Sequence, residues 1–424
     1  MIDIKYIENN LEKVKRGFEK RGLDITFDEL LQNDKKRKNL ILDIDKKRHQ
    51  KNEVSKEIAR LKKEKKSTAE LVEKMKNLGK EISSSEKELE RLKEKIYNFL
   101  IELPNIPDED VPSGGKENNK VLKTVGKKPK FNFDILDHVK LSEKHRIIDY
   151  KKGVKLSGRG SWVYSGIGAQ LEWAILNFFI EEHLKDGYEF MLVPHILKNE
   201  CGFGAGQFPK FKDDVFILKK ENEKDVEQFL LPTAETAFVN LHAGEILNKK
   251  ELPKKYFGYT PCYRKEIGSY RTEERGMIRG KQFNKVEMFQ FTKPEDSDAA
   301  FNELVSKAET LLKKLGLHYR VSKLAAGDVS ASMARTYDIE TWIPSMQKYQ
   351  EVSSVSNARE YQARRSNTKY KDDDGKNKYL HMLNGSGLAT SRIIPAILEQ
   401  NQQKDGSIKI PKVLVKYFGK KYLK

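Results

Sequence analysis

Two apolar seams separated by a short polar break constrain this chain more than any other feature in it. Leu40, Ile44, Lys47, Lys51, Val54, Ile58 and Leu61 follow one another at alternating spacings of four and three. Leu71, Met75, Leu78, Ile82, Ser85, Leu89, Leu92 and Ile96 repeat the alternation. Such a repeat lays its side chains along one stripe of a helix, and that stripe needs a second one to cover it. Between the seams lies Lys65-Lys66-Ser67-Thr68, with Ser67 or Thr68 placed to cap the second helix. The simplest closure is an antiparallel helical hairpin over about 35–102, an arm of roughly 45 Å at ~1.5 Å per residue. Lys47 and Lys51 fit its seam only by running their stems along it and keeping their ammonium groups in water.

Charge suggests what such an arm is for. Residues 35–66 carry 14 basic and 5 acidic side chains, and the whole chain has 81 Lys and Arg against 63 Asp and Glu, a net charge of +18. That excess suits a polyanion, and a basic helical finger can track a phosphate backbone without reading bases. The plainer reading is a coiled-coil spacer with a solvated surface. The sequence has no apolar run long enough for a membrane span. The opening MIDIKYIENNLEKVKRG has charges where a secretory signal needs an apolar block. Two cysteines, Cys201 and Cys262, cannot build a disulfide framework or a cysteine-rich zinc module. A cytoplasmic protein with no membrane partner is expected.

The hairpin ends at Leu103-Pro104-Asn105-Ile106-Pro107, where two prolines stop the helix. Residues 1–33 read as two short helices around Gly22, the second at Phe27–Leu31. Residues 1–104 then form an N-terminal domain, 105–130 an exposed Pro/Gly/Lys/Asn-rich linker, and 131–424 a body. In the body, helices are predicted over 167–185 and 295–314. Strands are predicted at Phe190–Val193, Val215–Leu218, Tyr256–Tyr263, Lys285–Phe291 and Tyr337–Trp342. The fold class is α+β, an antiparallel sheet with helices beside it.

The sequence contains neither G-x-x-x-x-G-K-[ST] nor a strand–helix G-x-G-x-x-G, so any nucleotide must be held by arginines and a metal. Three clusters offer this. The first runs from Cys262-Tyr263-Arg264-Lys265-Glu266 through a polar loop to Arg275-Gly276-Met277-Ile278-Arg279 and Gln282-Phe283-Asn284-Lys285-Val286-Glu287. Alternation puts Arg264 with Glu266, and Lys285 with Glu287, on common faces, and Phe283 can stack on a base. The second is Glu351-Val352-Ser353-Ser354, whose carboxylate and hydroxyl can share Mg²⁺. The third is Leu383-Asn384-Gly385-Ser386-Gly387 with Arg392 opening a helix.

With the hairpin, LPNIPDEDVP, Thr233-Ala234-Glu235, QARR at 362–365 and DGSIKIPKVL, these clusters occur in an order that resembles the class II aminoacyl-tRNA synthetases, and within them the bacterial type of seryl-tRNA synthetase. The likeness covers nearly the whole chain. Gly187–Pro194, 256–291 and 381–400 are similar to that class's motifs 1, 2 and 3.

The resemblance implies a class II antiparallel sheet flanked by helices, and a homodimer binding tRNA across its subunits through the arm. It implies two steps: L-serine and ATP give seryl-adenylate and pyrophosphate, and the seryl group then passes to the 3′ end of tRNA(Ser), with tRNA(Sec) a further family substrate. Mg²⁺ would accompany ATP, and no zinc is expected. Position by position, it implies serine binding by Thr233, Ala234, Glu235, Arg264, Glu287, Asn384 and Ser386. It implies ATP binding by Arg264, Lys265, Glu266, Arg279, Gly280, Phe283, Glu351, Val352, Ser353, Ser354 and Arg392. Glu351 and Ser354 would hold Mg²⁺, and Arg264, Glu351 and Arg392 would be catalytic. Three residues depart from the family pattern: Lys281 stands where His is usual, Val355 where Cys is, and Ser391 where Gly is. A loop spanning Gly268 to Arg275 carries two adjacent acids, Glu273 and Glu274. Two other readings remain at this point, a paralogue that passes activated serine elsewhere and an RNA-binding coiled-coil protein with a decayed body.

Overall fold

A computed structural model of the chain describes residues 1–266 and 276–424. The acidic loop spanning Gly268 to Arg275 lies outside the described residues. The chain divides into two compact units, one of Ile2–Lys15 and Asp24–Leu103, the other of Met1, Arg16–Leu23 and Pro104–Lys424.

In the first unit the hairpin forms as its seams require. Helix α1 spans Asp28–Lys63 and helix α2 spans Ala69–Glu102. Val54, Ile58 and Leu78 are buried between them, with Leu71 and Met75 packed alongside. The seam lysine Lys47 turns its ammonium outward, 3.0 Å from Asp43 and 3.1 Å from Glu81 across the hairpin. Two local expectations fail. Thr68 occupies the N-cap position of α2 but makes no side-chain capping bond. The short helix expected at Phe27–Leu31 is instead the first turn of α1, because nothing between Asp28 and the seam breaks helical geometry.

The second unit is built on one eight-stranded sheet. Its strands are β1 Lys120–Val125, β2 Glu189–Phe190, β3 Lys254–Tyr263, β4 Gln282–Thr292, β5 Tyr319–Lys323, β6 Arg335–Ile343, β7 Lys348–Asn357 and β8 His381–Ala389. Their order is β1-β5-β6-β7-β8-β4-β3-β2, antiparallel throughout except for the short β2 beside β3. Helices α3 Ile167–Lys185, α4 Ser297–Leu315 and α5 Thr390–Gln400 complete the unit's main core.

The alternation along β4 separates that core from a polar face. Val286 and Met288 enter the core with Ile175, Phe301 and Ile393. Lys285 and Glu287 point the other way, and farther along the same face Phe289 and Phe291 join a second apolar cluster with Phe229 and Phe238. The sheet therefore has helices on one side and, on the other, a polar patch bounded by aromatic rings.

Three strand readings hold, with β3, β4 and β6 containing them. The strand expected at Phe190–Val193 is reduced to β2, and Val215–Leu218 makes only an isolated bridge, Ile217 with Phe229. The linker expected over 105–130 is not free chain. Asn105 is buried, with its amide bonded to the carbonyls of Ser332 and Ala358, and β1 forms an edge of the sheet.

Candidate active site

A cavity of about 550 Å³ opens on the polar face of the sheet. One end is framed by the hairpin of β3 and β4. Arg264 follows the last residue of β3; its N–H bonds the Lys281 carbonyl at 2.9 Å and its Nε the Pro232 carbonyl at 3.2 Å. The guanidinium sits 5.2 Å from the centre of the Phe283 ring, within cation–π range. Arg279 Nη1 donates to Glu266 Oε2 at 2.8 Å. Gly280 is required here by space: a Cβ would lie 2.1 Å from the Trp162 ring.

The opposite wall comes from β7 and α5. Residues three apart on a regular strand face opposite sides, yet Glu351 and Ser354 both line the cavity. A bulge explains it. Ile339 pairs with Ser353 but Glu340 pairs with Glu351, so Val352 is the extra residue and the alternation shifts by one. Arg392, in the first turn of α5, donates to the Glu351 carbonyl at 3.0 Å, and its Nη1 lies 3.3 Å from the Glu351 carboxylate. Against the cost of burial, the guanidinium groups of Arg392 and Arg264 hold the Glu351 carboxyl below its usual range. Asp338 pairs in register with Ser354, and its Oδ1 finds no hydrogen-bond partner among the described residues. The oxygens of Glu351, Ser354 and Asp338 suit a hard divalent cation.

The floor is a dense polar cluster. Ser386 is directly paired with Glu287 across β8 and β4. Asn384 Nδ2 donates to Glu287 Oε1 at 3.1 Å and to Glu235 Oε2 at 3.3 Å. Lys285 Nζ donates to Thr233 Oγ1 at 2.7 Å and lies 2.5 Å from Glu287 Oε2. Glu235 also accepts from Gln362 Nε2 at 2.8 Å. Burial first, and the Glu287 charge second, push the Glu235 carboxyl up to about 7.

Most of the sequence-predicted residues meet in this cavity, on its lining: Thr233, Glu235, Arg264, Glu266, Arg279, Gly280, Phe283, Glu351, Val352, Ser354, Asn384, Ser386 and Arg392. Four stand outside the lining. Ala234 is fully buried in the second apolar cluster, and Ser353 turns inward to bond the Ser386 carbonyl at 2.6 Å. Lys265 is anchored by its N–H to the Asp214 carbonyl, and Glu287 is fully buried behind Lys285 and Ser386.

Three contributors have no site role in the sequence reading, although it places Lys285 on the Glu287 face and Gln362 in the QARR run. Lys285 lines the cavity and Gln362 braces Glu235. Glu172, on α3, accepts from Asn284 Nδ2 at 2.7 Å and from Thr390 Oγ1 at 2.6 Å, tying β4 and α5 together beneath the site. The alternation on β4 pointed to Lys285; a buried acid inside an apolar helix was the available signal for Glu172.

The departures have local accommodations. Lys281 donates to the Ser157 carbonyl at 2.9 Å, at the end of the helix Tyr150–Ser157, where a cation is favoured. Val355 is fully buried in the main core, and Ser391 is buried in the first turn of α5.

The description "Seryl-tRNA synthetase N-terminal domain" fits residues 1–107, and "tRNA synthetase class II core domain (G, H, P, S and T)" fits residues 216–401. The chain is 60% identical to serine--tRNA ligase 2 of Clostridium acetobutylicum over 99% of both chains. It is 43% identical to the serine--tRNA ligase of Thermodesulfovibrio yellowstonii, also over 99% of both. Its structure is similar to that of the seryl-tRNA synthetase of Pyrococcus horikoshii complexed with ATP, with a TM-score of 0.93 and 35% identity over 100% of this chain and 99% of that one.

Proposed function

This chain belongs to the seryl-tRNA synthetase family of class II aminoacyl-tRNA synthetases, and on that premise we propose a division of labour within its cavity. The enzyme joins serine to ATP, releasing pyrophosphate, and passes the seryl group from the adenylate to tRNA. The observation that carries the site assignment is the convergence of Arg264, Arg392 and Glu351 with a patch holding Glu235 and Asn384, all on one cavity wall or another.

ATP lies with its adenine on Phe283 and its phosphates toward Arg264, Arg279 and Arg392. Lys265, Glu266, Gly280, Val352 and Ser353 shape that end. Serine binds over Thr233 and Glu235, with Asn384 and Ser386 beside it and Ala234 setting the turn that presents Glu235. Glu287 acts from behind Lys285 and Ser386.

The serine carboxylate is already an anion, so its attack on the α-phosphorus needs no general base. One oxygen of that carboxylate bonds to phosphorus as the bond to the pyrophosphate oxygen breaks. Negative charge builds at the α-phosphate, and a guanidinium already positioned there stabilises it most effectively because nothing must reorganise. Glu351 and Ser354 would hold Mg²⁺, which offsets phosphate charge when bound.

The N-terminal hairpin serves tRNA(Ser), and residues from 131 on serve catalysis. The active form is a homodimer in the cytoplasm. Support for a dimer comes from apolar side chains exposed along and after α3, Trp173 at 52% and Leu192 at 76%.

The test is serine-dependent ATP–pyrophosphate exchange, followed by charging of total tRNA with labelled serine. Exchange and charging are both expected. Arg264→Ala is expected to lower exchange at least about a hundredfold, the scale for losing a preorganised charge partner of the transition state. Exchange within tenfold of normal in that variant would overturn the site assignment.

A further inference from the structure

The serine end of the cavity contains more negative charge than a zwitterionic amino acid can use. Glu235 and Glu287 converge on the same amide, Asn384 Nδ2, at 3.3 and 3.1 Å. Serine brings one ammonium, which one carboxylate satisfies. A second bare carboxylate would favour a ligand with a second cation, and would punish a neutral side chain by leaving a buried charge unpaired.

Lys285 resolves this. Its Nζ lies 2.5 Å from Glu287 Oε2 and donates to Thr233 Oγ1 at 2.7 Å, and its side chain is 9% exposed. It stands between the cavity, which it lines, and Glu287, which is fully buried and does not line it. Glu235 has a different set of partners, the amides of Gln362 and Asn384. Burial and the nearby Glu287 push its carboxyl up, and the Gln362 hydrogen bond, Lys285 and Arg264 only partly oppose this. The two acids are therefore not equivalent: one is matched by a fixed internal cation, while the other meets, among the described residues, the neutral amides of Gln362 and Asn384 at hydrogen-bond distance.

We propose that Lys285 is a specificity-determining residue: paired with Glu287, it cancels the second carboxylate so that the cavity receives a neutral hydroxyl side chain and turns away one carrying an ammonium. Glu235 takes the α-ammonium. Two of the three N–H groups of Lys285 are committed to Thr233 and Glu287, and the third can donate to a substrate oxygen. This inference rests on the cavity's being the serine site, as proposed above.

The decisive probe is L-2,3-diaminopropionate, serine with an amine in place of the hydroxyl. Because two neighbouring ammonium groups lower each other's pKa, it is used at mildly acidic pH, where both nitrogens are protonated. Lys285→Met keeps the stem and removes the charge; Lys285→Arg keeps a cation. Each variant and the unaltered enzyme would be assayed for serine-dependent exchange, and for inhibition of that exchange by diaminopropionate. Ligand-induced shifts in melting temperature, with a non-hydrolysable ATP analogue present, supply a readout that needs no turnover.

In Lys285→Met the preference for diaminopropionate over serine is expected to rise by about tenfold or more, the scale of exchanging a partner in a buried polar site. Lys285→Arg is expected to stay near the unaltered ratio. Equal losses for both ligands in Lys285→Met, at an unchanged ratio, would assign Lys285 a merely structural role and overturn the inference. A Lys285→Arg ratio matching that of Lys285→Met would overturn it too. Failure of the unaltered enzyme to exchange with serine would instead strike the site assignment itself.

Discussion

A single carboxyl, Glu235, makes the proposed serine site sensitive to pH near neutrality. Burial and the charge of Glu287 raise it to about 7, and an ammonium ligand needs it ionised. At pH 6 about one Glu235 in ten is ionised and at pH 8 about nine in ten, while the ammonium of serine stays charged across that window. The KM for serine is therefore expected to fall about tenfold from pH 6 to pH 8 and to level off above it. Steady-state exchange at fixed saturating ATP checks this, with Glu235→Gln expected to bind serine weakly at every pH and to lose the slope. Residue identity was the most legible layer of this protein, since charged and small residues in family order led to most of the cavity lining. What could not be read was which of them face the cavity. Ser353 and Ser354 are the same residue type one step apart, and only the strand decides that one bonds the Ser386 carbonyl inside the sheet while the other lines the cavity.

At the scale of elements the bulge in β7 and the buried acid in α3 do most to build the site. Glu172 has Asn284 of β4 and Thr390 of α5 on one oxygen. Without it the half-buried Asn284 amide loses that acceptor, and buried Thr390 keeps only the longer bond to the Asn284 carbonyl at 3.3 Å. Together these weakened bonds cost about 1–3 kcal/mol. Glu172→Ala is expected to lower the melting temperature by several degrees and to raise the KM for ATP more than that for serine, because Phe283 adjoins Asn284 and Arg392 adjoins Thr390. Calorimetry and exchange kinetics check it, and Glu172→Gln, which still offers an acceptor, is expected to restore both. Burial raises the Glu172 carboxyl to about 7 although Thr390, Asn284 and Tyr164 oppose it. The folded state thus holds its proton more tightly than the unfolded chain, so stability falls as pH rises from the ordinary carboxyl range through about 7; Glu172→Gln should flatten that fall. Long elements were legible: the hairpin from its seam, β3 and β4 from their aromatic and β-branched residues. His381–Ala389 was not recognised as a strand, because its Asn-Gly-Ser-Gly core has poor strand propensity. It is nearly all buried between β7 and β4, and small residues are tolerated there because the neighbouring strands supply the pairing. Val215–Leu218 failed in the opposite way: the right residue types had no continuous partner to pair with.

For the whole molecule, the question is how a basic arm and a cavity divide one reaction. Under the proposed assignment, adenylation takes place in the cavity, whose lining residues all lie after residue 130. Transfer needs a tRNA large enough to be gripped far from its reacting end. In the arm many basic side chains pair with acids on the same helix or across the hairpin, as Arg48 does with Glu86 at 2.7 Å. Exposed pairs of this kind contribute little to stability, and they separate readily when a phosphate competes. Helix α1 nevertheless retains a basic excess, so the hairpin offers cations along much of its length. The Arg48–Glu86 contact also marks where the arm can be cut: replacing residues 49–85 by a short glycine-containing turn keeps that pair and removes the distal seam. The shortened enzyme is expected to catalyse serine-dependent exchange within about twofold of the full chain. Charging of tRNA(Ser) by it should fall at least about a hundredfold, mainly through a raised KM for tRNA, because several phosphate contacts are lost together. Salt dependence separates this from general damage. Each lost phosphate contact removes roughly one unit from the slope of log affinity against log salt, so tRNA binding by the shortened enzyme should be less salt-sensitive as well as weaker. Charging at the full rate would mean that the arm is a spacer and that tRNA is held by the body alone. Loss of exchange together with charging would mean that the hairpin supports the catalytic unit rather than the RNA.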